Sequence, residues 1–225
     1  MRITAICSLA ALAPVALALP LTTSAAAAEP PPPAHGFQGG LRFGYARPIG
    51  GLQSQAALRL TSLVDSERPL MLDLGWRLGT NWLLGAYGSI AGGEPGSAYE
   101  TACIPANCSV TSYRFGVQGL VFILPDERLD PWLGVAIGYD FTRLKIDGAG
   151  GAVSIGVRGW EAPRLLGGVD YRFSRYFAFG PYLDFAVGEY TDSTVSTPRY
   201  ATKRSISDAE AHAWFSAGLR WVVFP

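Results

Sequence analysis

Chemical motifs are few in this 225-residue chain, which contains only two histidines, His35 and His212. Glu210, His212 and Ser216 lie close together near the C-terminus, and these residue types occur in nucleophilic hydrolase sites. Their spacing matches no such motif, and a histidine near one end of a strand is the simpler interpretation. The glycine-rich segment 148–151 matches no phosphate-binding loop and suits a hairpin tip. No metal-ligand spacing is present, so we expect no enzyme activity, no cofactor and no metal.

Cys103 and Cys108 are close in sequence, with Ile104 to Asn107 between them. In an exported protein such a pair is most simply a disulfide that closes a loop. Zinc would need further ligands, which no nearby His or Cys supplies, and the spacing is not the Cys-x-x-Cys of redox motifs. The sequence therefore predicts a disulfide between Cys103 and Cys108.

Ten charged residues alternate with apolar residues along the chain. Because successive side chains of a strand point to opposite faces, these charges would share the face opposite the apolar one. We expect them to pair across a narrow interior as a lumen charge network. Its predicted members are Arg42, Asp73, Arg77, Arg114, Asp140, Arg164, Asp170, Arg172, Asp184 and Arg220.

Eight segments show this period of two. The clearest runs from Leu70 to Leu78. Its even-numbered residues are four leucines and Trp76, which occupy one face, while Asp73 and Arg77 lie on the other. The segment 82–90 is the least clear, since both its faces are fairly apolar, with Trp82, Leu84, Ala86 and Ile90 as the better outer set. The eight predicted strands are 37–46, 70–78, 82–90, 113–123, 133–142, 164–173, 177–187 and 215–223.

Connections between these segments alternate between short and long. The short ones are 79–81, 124–130 and 174–176, and the long ones are 47–69, 91–109, 143–159 and 188–208. Strict alternation places all long loops on one side of an up-and-down barrel. The sequence thus predicts an all-β fold, an eight-stranded antiparallel up-and-down transmembrane β-barrel. Pro163 predicts a bulge, because proline cannot donate to a paired ladder.

An exported barrel of lipocalin type, with the apolar face inward, is the soluble alternative. The polar face decides against it, because it holds Gly, Ala, Asp and Arg rather than the Lys, Glu, Ser and Thr of a water-facing exterior. Aromatic residues near the strand ends also predict an interfacial girdle on the membrane-facing side. Its predicted members are Tyr45, Trp76, Trp82, Tyr113, Trp132, Tyr139, Phe177, Phe185 and Trp221.

The N-terminal segment has the pattern of an export signal. Residues 1–28 combine Arg2, an apolar run and a small-residue tract that ends at Ala28, which predicts a secretory signal peptide. Residues 29–36 form a Pro-rich periplasmic leader, and 37–225 form the barrel. No later apolar run reaches the roughly 18 to 20 residues of a transmembrane helix. With 18 basic and 18 acidic residues, the charge gives no support for nucleic-acid binding.

Two segments carry a resemblance to a known family. Residues 167–173 (GGVDYRF), followed by 179–182 (FGPY), resemble the penultimate hairpin of small bacterial outer-membrane barrels of the OmpA/OmpX/OmpW-like superfamily, and 131–139 (PWLGVAIGY) resembles their fifth strand. The resemblance implies a Gram-negative outer membrane and insertion by the barrel-assembly machinery. Such chains usually end in an aromatic residue, whereas Pro225 follows Phe224 here. This departure concerns the insertion signal and not the fold.

Together these features predict an integral outer-membrane β-barrel with a charge-plugged lumen. Its role would be structural or surface-interacting, through long extracellular loops. A narrow channel for small solutes is the alternative, and an envelope-lipid-modifying enzyme ranks third. The expected partners are outer-membrane lipid and, during insertion, the assembly machinery; we expect a monomer, and the sequence identifies no extracellular ligand.

Overall fold

The strands of this protein close into a ring. A computed structural model describes residues 35–53, 58–149, 151–206 and 209–224. The predicted signal peptide and Pro225 lie outside these residues, as does the leader up to residue 34. The elements are β1 (His35–Gln53), β2 (Leu58–Arg59), α1 (Leu60–Leu63), β3 (Val64–Leu78), β4 (Trp82–Pro95), α2 (Glu100–Cys103), β5 (Asn107–Phe122), β6 (Leu129–Gly148), β7 (Gly151–Arg172), β8 (Phe177–Ser196), β9 (Ala201–Ser205) and β10 (Ala211–Val223).

Eight of these strands form the barrel. Each pairs antiparallel with its neighbour in the order β1, β3, β4, β5, β6, β7, β8, β10, and β10 returns to pair with β1. The ring confirms the predicted eight-stranded up-and-down fold. β2 and β9 are short additions that pair with β1 and β8. Neither described helix is long and apolar enough to cross a membrane.

The alternation of side chains decides which face points outward. On β3, Leu70, Leu72 and Leu74 are exposed while Met71 and Asp73 are buried inside the ring. On β4 the outer set predicted from the sequence is exposed as well. The exposed apolar run 70–78 on β3 extends about 27 Å along the strand, or about 20 Å once a typical strand tilt is allowed for, close to the apolar band of a transmembrane barrel.

Three of the four predicted long loops are largely strand, which corrects the sequence interpretation, whereas most of 91–109 lies between β4 and β5. β6 and β7 pair without interruption through 143–148 and 151–159, up to Gly148 opposite Gly151. Leu144 and Val157 explain this, because their side chains continue the inward-facing pattern and are buried in the core. The ladder therefore extends beyond the apolar band. We call this end of the barrel the loop end and the other, with the 79–81 and 174–176 connections, the turn end.

The predicted bulge at Pro163 is confirmed. The register of β7 shifts between Glu161 and Arg164 relative to both of its neighbours. Ala162 and Pro163 therefore lie opposite the single residue Ile137 of β6. The bulge keeps Glu161 and Arg164 on the inner face although they are three residues apart.

The apolar band yields a test of which face meets lipid. Replacing Leu74 by Arg, at the middle of the exposed run, should lower the free energy of unfolding from lipid vesicles by about 2–4 kcal/mol, because a cation is costly at bilayer depth. Ile49→Arg, outside the band on β1, is the control and should cost about 1 kcal/mol or less. Equal effects of the two substitutions in urea titrations would contradict a lipid-facing exterior.

Candidate functional site: the lumen of the barrel

All ten charged residues of the predicted lumen network are buried inside the ring. Three more carboxylates join them that the sequence interpretation missed: Glu67, Asp130 and Glu161. Glu67 and Glu161 lie in stretches predicted as loops or left between strands, and Asp130 in a predicted short connection. Parity could have identified two of them, since Glu67 continues the inward set of β3 with Asp73, and Asp130 that of β6 with Asp140. Glu161 has the opposite parity to Arg164, because the bulge lies between them.

Seven of these side chains form a continuous series of alternating charge, which we call the charge chain. Its order is Glu67, Arg114, Glu161, Arg164, Asp184, Arg42 and Asp73. The members come from β1, β3, β5, β7 and β8. The charge chain thus joins strands from around the ring across the lumen.

Arg114 holds the loop-side half of the charge chain. Its guanidinium lies 2.8 Å from Glu67 and 3.3 Å from Glu161. It also lies 3.5 Å from Asp140, and its face stacks on the ring of Trp214 at 4.3 Å. Three carboxylates therefore surround one buried arginine, which compensates much of their desolvation.

Hydroxyl groups donate to two carboxylates in this half, Glu67 and Asp140. Ser112 donates to Glu67. Thr142 and Tyr190 donate to Asp140, at 3.2 and 2.8 Å. Hydrogen bonds of this kind stabilise carboxylates that are removed from water.

Arg164 and Arg42 form the other half. Arg164 lies 3.1 Å from Glu161, and its Nη2 lies 2.5 Å from Asp184. Arg42 lies 3.8 Å from Asp184 and makes a two-point contact with Asp73, at 2.8 Å from Nε and 2.6 Å from Nη2. Gln118 bridges Arg42 and Asp73 with hydrogen bonds of 3.2 and 3.0 Å. The paired fork geometry fixes both side chains in position.

A second group of charges lies nearer the turn end. Arg220 contacts Asp170 at 2.6 Å and stacks on Trp132 at 4.4 Å. Arg77 donates to Gln38 at 2.9 Å. The Arg172 side chain donates to the carbonyl of Pro125 at 2.7 Å. In this group the arginines contact aromatic rings and amide oxygens as well as carboxylates.

Apolar residues close both ends of the lumen. At the loop end, Leu60 and Leu63 of α1 are fully buried in a cluster that also contains Val110, Leu144 and Trp214. At the turn end, Phe224 is buried, and Arg77 and Arg172 lie 5.4 and 5.9 Å from its ring. We call these the loop-end cap and the turn-end plug.

Trp132 corrects the predicted aromatic girdle. Its side chain is 1 % exposed and lies inside the barrel, whereas its neighbour Leu133 is 61 % exposed. Trp132 faces the interior because the outward-facing residues of β6 are the odd-numbered ones. Gly168 lies directly opposite Trp132, and a Cβ there would come within 2.7 Å of the indole. The glycine therefore provides the space that an inward tryptophan needs.

The other eight predicted girdle residues lie on the outer face, where Tyr139 is partly covered by neighbouring rings. On the loop side, Tyr139 packs edge-on against Trp160 with ring centroids 5.4 Å apart. On the turn side, Phe177 and Trp221 pack with Phe173. Trp160 and Phe173 extend the girdle beyond the sequence prediction.

His212 does not assemble a hydrolase site with its neighbours. Its ring stacks on Tyr190 with centroids 4.0 Å apart. Within the described ranges neither ring nitrogen of His212 has a hydrogen-bond partner, so neither Ser216 nor Glu210 contacts it through a hydrogen bond. No group of His, Cys, Asp and Glu in the part of the chain that the structure describes could hold a metal ion.

The predicted disulfide is present. Cys103 ends α2, Cys108 lies at the start of β5, and their Cα atoms are 5.5 Å apart. Both residues lie at the loop end, well away from the charge chain. The bond closes the β4–β5 connection.

Comparison with known proteins gives structural likenesses only. No protein-family model and no curated protein sequence matches the chain. A major outer-membrane protein of Thermus thermophilus is 10 % identical, with 84 % of this chain and all of that chain covered and a TM-score of 0.48. Neisserial surface protein A is 14 % identical over 84 % of this chain and 97 % of its own, with a TM-score of 0.44. Ail, the attachment invasion locus protein of Yersinia pestis, is 14 % identical over 81 % and 97 %, with a TM-score of 0.43.

The two-point contact between Arg42 and Asp73 gives a double-mutant prediction. Asp73→Ala alone should lower the free energy of unfolding by about 3 kcal/mol or more, because it removes the closest partner of a buried cation. Adding Arg42→Ala should cost less than the sum of the two single changes. The exposed pair Arg68 and Glu94, at 2.9 Å, is the matched control and should couple by about 1 kcal/mol or less. Additive effects at the buried pair in urea titrations would contradict this account.

The disulfide should order the loop end rather than hold the barrel. Closing so short a loop restricts the unfolded chain by only about 2 kcal/mol in the entropic account. Replacing both cysteines by Ser should speed proteolysis of the β4–β5 connection several-fold. The difference in gel migration between unheated and boiled samples of the barrel should stay unchanged. Loss of the compact unheated form would mean that the barrel itself depends on the bond.

Proposed function

We propose that this chain is an integral outer-membrane β-barrel without catalytic activity, whose lumen is closed and whose role is structural or surface-interacting. The observation that carries this proposal is the charge chain, a set of seven mutually paired side chains inside an eight-stranded ring. Such a ring encloses only enough space for its own side chains. The paired side chains therefore occupy the space that a solute would need.

Support for the membrane location comes from the outer surface. Closed strands satisfy their backbone hydrogen bonds internally, which is the requirement for crossing lipid without helices. The exposed apolar band and its aromatic girdle match the two interfaces of a bilayer. The predicted export signal and the resemblance of 167–173 and 131–139 to small outer-membrane barrels favour the outer membrane.

Support for closure comes from three levels of the lumen. The loop-end cap contains Leu60 and Leu63, the charge chain lies below it, and the turn-end plug contains Phe224. A solute would have to displace apolar side chains at each end and separate ion pairs between them. Separating a buried ion pair costs several kcal/mol. A steadily open path is therefore not expected.

Support for a surface role comes from the loop-end extension. β5 to β9 continue as a sheet of five paired strands beyond the apolar band, and every residue of β9 is exposed. Arg158 and Lys203 contact Asp192 at 3.1 and 3.2 Å in this extension. Hydrogen bonds from Lys203 and Arg158 lower the pKa of the Asp192 carboxyl. The extension is thus an ordered, charged surface that other molecules can reach.

Planar-bilayer conductance separates the closed barrel from a narrow channel. The wild-type protein should show little steady conductance. Arg42→Ala, or independently Arg220→Ala, should raise the leak or lower the stability of the barrel, because each removes a cation that contacts a carboxylate across the lumen. Arg68→Ala, which removes an exposed cation of the same type, is the control and should change neither.

Two other outcomes would contradict the proposed closed barrel in the membrane. If the wild type conducts steadily and Arg42→Ala changes only ion selectivity, the charges line an open pore. The channel for small solutes would then replace the closed barrel. Recovery of the wild-type protein as a soluble monomer without detergent would refute the membrane location itself.

A further inference from the structure

A groove runs down the outer wall of the barrel over β5, β6 and β7. Its loop-side part has a volume of about 550 Å³ and is lined by aromatic residues, including Phe115, Tyr139 and Trp160. Its deeper part has a volume of about 840 Å³ and reaches Ala162 and Pro163 at the bulge. The two parts share Val117 and Ile137, so they form one continuous depression.

Small residues and the bulge create this groove. Gly119 stands at an outward position of β5, where other strands carry large apolar side chains. At the bulge, the short side chains of Ala162 and Pro163 replace the bulky outward residues found above and below them, Trp160 and Leu165. From Tyr139 to Val135 on β6 the groove extends about 13 Å along the strand, or about 10 Å along the membrane normal once a typical strand tilt is allowed for, which is about two thirds of the ~15 Å hydrocarbon depth of one leaflet. Its shape suits an acyl chain.

Two arginines stand at the loop-side entrance of the groove. Arg158 lines the groove itself, opposite Phe141 of β6, and Arg143 stands two residues further along β6. This places them diagonally across the β6–β7 ladder, within reach of a common ligand. Arg158 contacts Asp192, whereas the contact described for Arg143 is with the ring of Phe141, at 5.3 Å.

The opposite wall differs in charge. Arg47 on β1 and Arg68 on β3 stand on the outer face at the same end of the barrel, but each contacts a carboxylate, Asp65 and Glu94. In the ring order β1 and β6 are four places apart, as are β3 and β7, which is half of the circumference. Among the described residues at this rim, Arg143 is therefore a cation that has no carboxylate contact and stands above an apolar groove.

We propose that this groove binds a membrane lipid whose headgroup carries phosphate, with one acyl chain between β5 and β7 and the phosphate at Arg143, beside Arg158, which is shared with Asp192. Guanidinium groups bind phosphate through paired hydrogen bonds, and these strengthen near a low-dielectric boundary. The aromatic residues at the entrance lie at the depth of the lipid headgroups, where aromatic side chains of membrane proteins are enriched. The occupant is a lipid of the leaflet that borders the loop end, and its binding does not depend on whether the lumen conducts.

Native mass spectrometry in detergent tests this assignment with dioleoyl phosphatidate, dioleoyl phosphatidylcholine and inorganic phosphate as probes. The wild type should retain one phosphatidate molecule with at least about tenfold higher affinity than phosphatidylcholine, as expected for charge-assisted hydrogen bonds. Arg143→Ala combined with Arg158→Ala should remove this preference. Arg47→Ala combined with Arg68→Ala, on the opposite wall, should retain it.

The acyl-chain part has its own matched pair of variants. Gly119→Leu fills the groove and should weaken phosphatidate binding, since a Cβ there already meets Leu84 at 3.5 Å. Gly88→Leu fills a separate depression over β3 and β4, where a Cβ meets nothing within 4 Å, and should leave binding unchanged. Unheated gel mobility verifies that every variant is folded.

Three results would overturn the proposal. Equal affinity for both lipids would show only a general lipid coat. Undiminished phosphatidate binding in the arginine and Gly119→Leu variants would place the lipid elsewhere. Displacement of phosphatidate by inorganic phosphate at matched concentration would show an anion site that makes no use of the acyl chain.

Discussion

The structure depends on one constraint: charges enclosed in a ring of eight strands must satisfy one another. The lumen is too narrow to hydrate each ion separately, and an unpaired buried ion costs several kcal/mol. The charge chain meets this constraint by alternating sign from Glu67 to Asp73, with Arg114 shared among three carboxylates. Stacking of Arg114 on Trp214 and of Arg164 on Tyr87 covers the flat faces of guanidinium groups that hydrogen bonds leave open. Charge, hydrogen bonds and aromatic faces therefore act on the same side chains.

Much of the fold could be predicted from the sequence, because strand parity is a local property. Leu70 to Leu78 fixes one strand and both of its faces without reference to the rest of the chain. Parity also placed ten charges inside the ring, where the structure buries them. It did not reveal partners, because the contacts of Arg42 with both Asp73 and Asp184 depend on register and tilt around the whole ring. Two carboxylates lie outside the predicted strands for different reasons. Glu67 does so because a strand that leaves the membrane no longer needs an apolar outer face, and Glu161 because the bulge at Ala162 and Pro163 interrupts the alternation of β7.

Trp132 shows a second limit of sequence reasoning. A tryptophan near a strand end suggests a membrane interface, and that association outweighed parity in the prediction. In the structure the indole of Trp132 points inward, because Gly168 lies opposite it and Arg220 stacks on its face. Neither neighbour is close to Trp132 in sequence. An inward aromatic therefore becomes predictable only when strand pairing is known.

The position of Arg42 bears on how the protein reaches its final form. Arg42 belongs to the first strand of the ring and Asp184 to the seventh, and between them lies β10, which is the eighth ring strand along the chain. Before β10 joins β1, the two edges of the sheet lack partners and several inward ions lack their counterparts. A half-built ring would thus be unfavourable both in its backbone and in its interior. We therefore expect closure to be all-or-none, with contacts of high sequence separation forming together at the end of assembly.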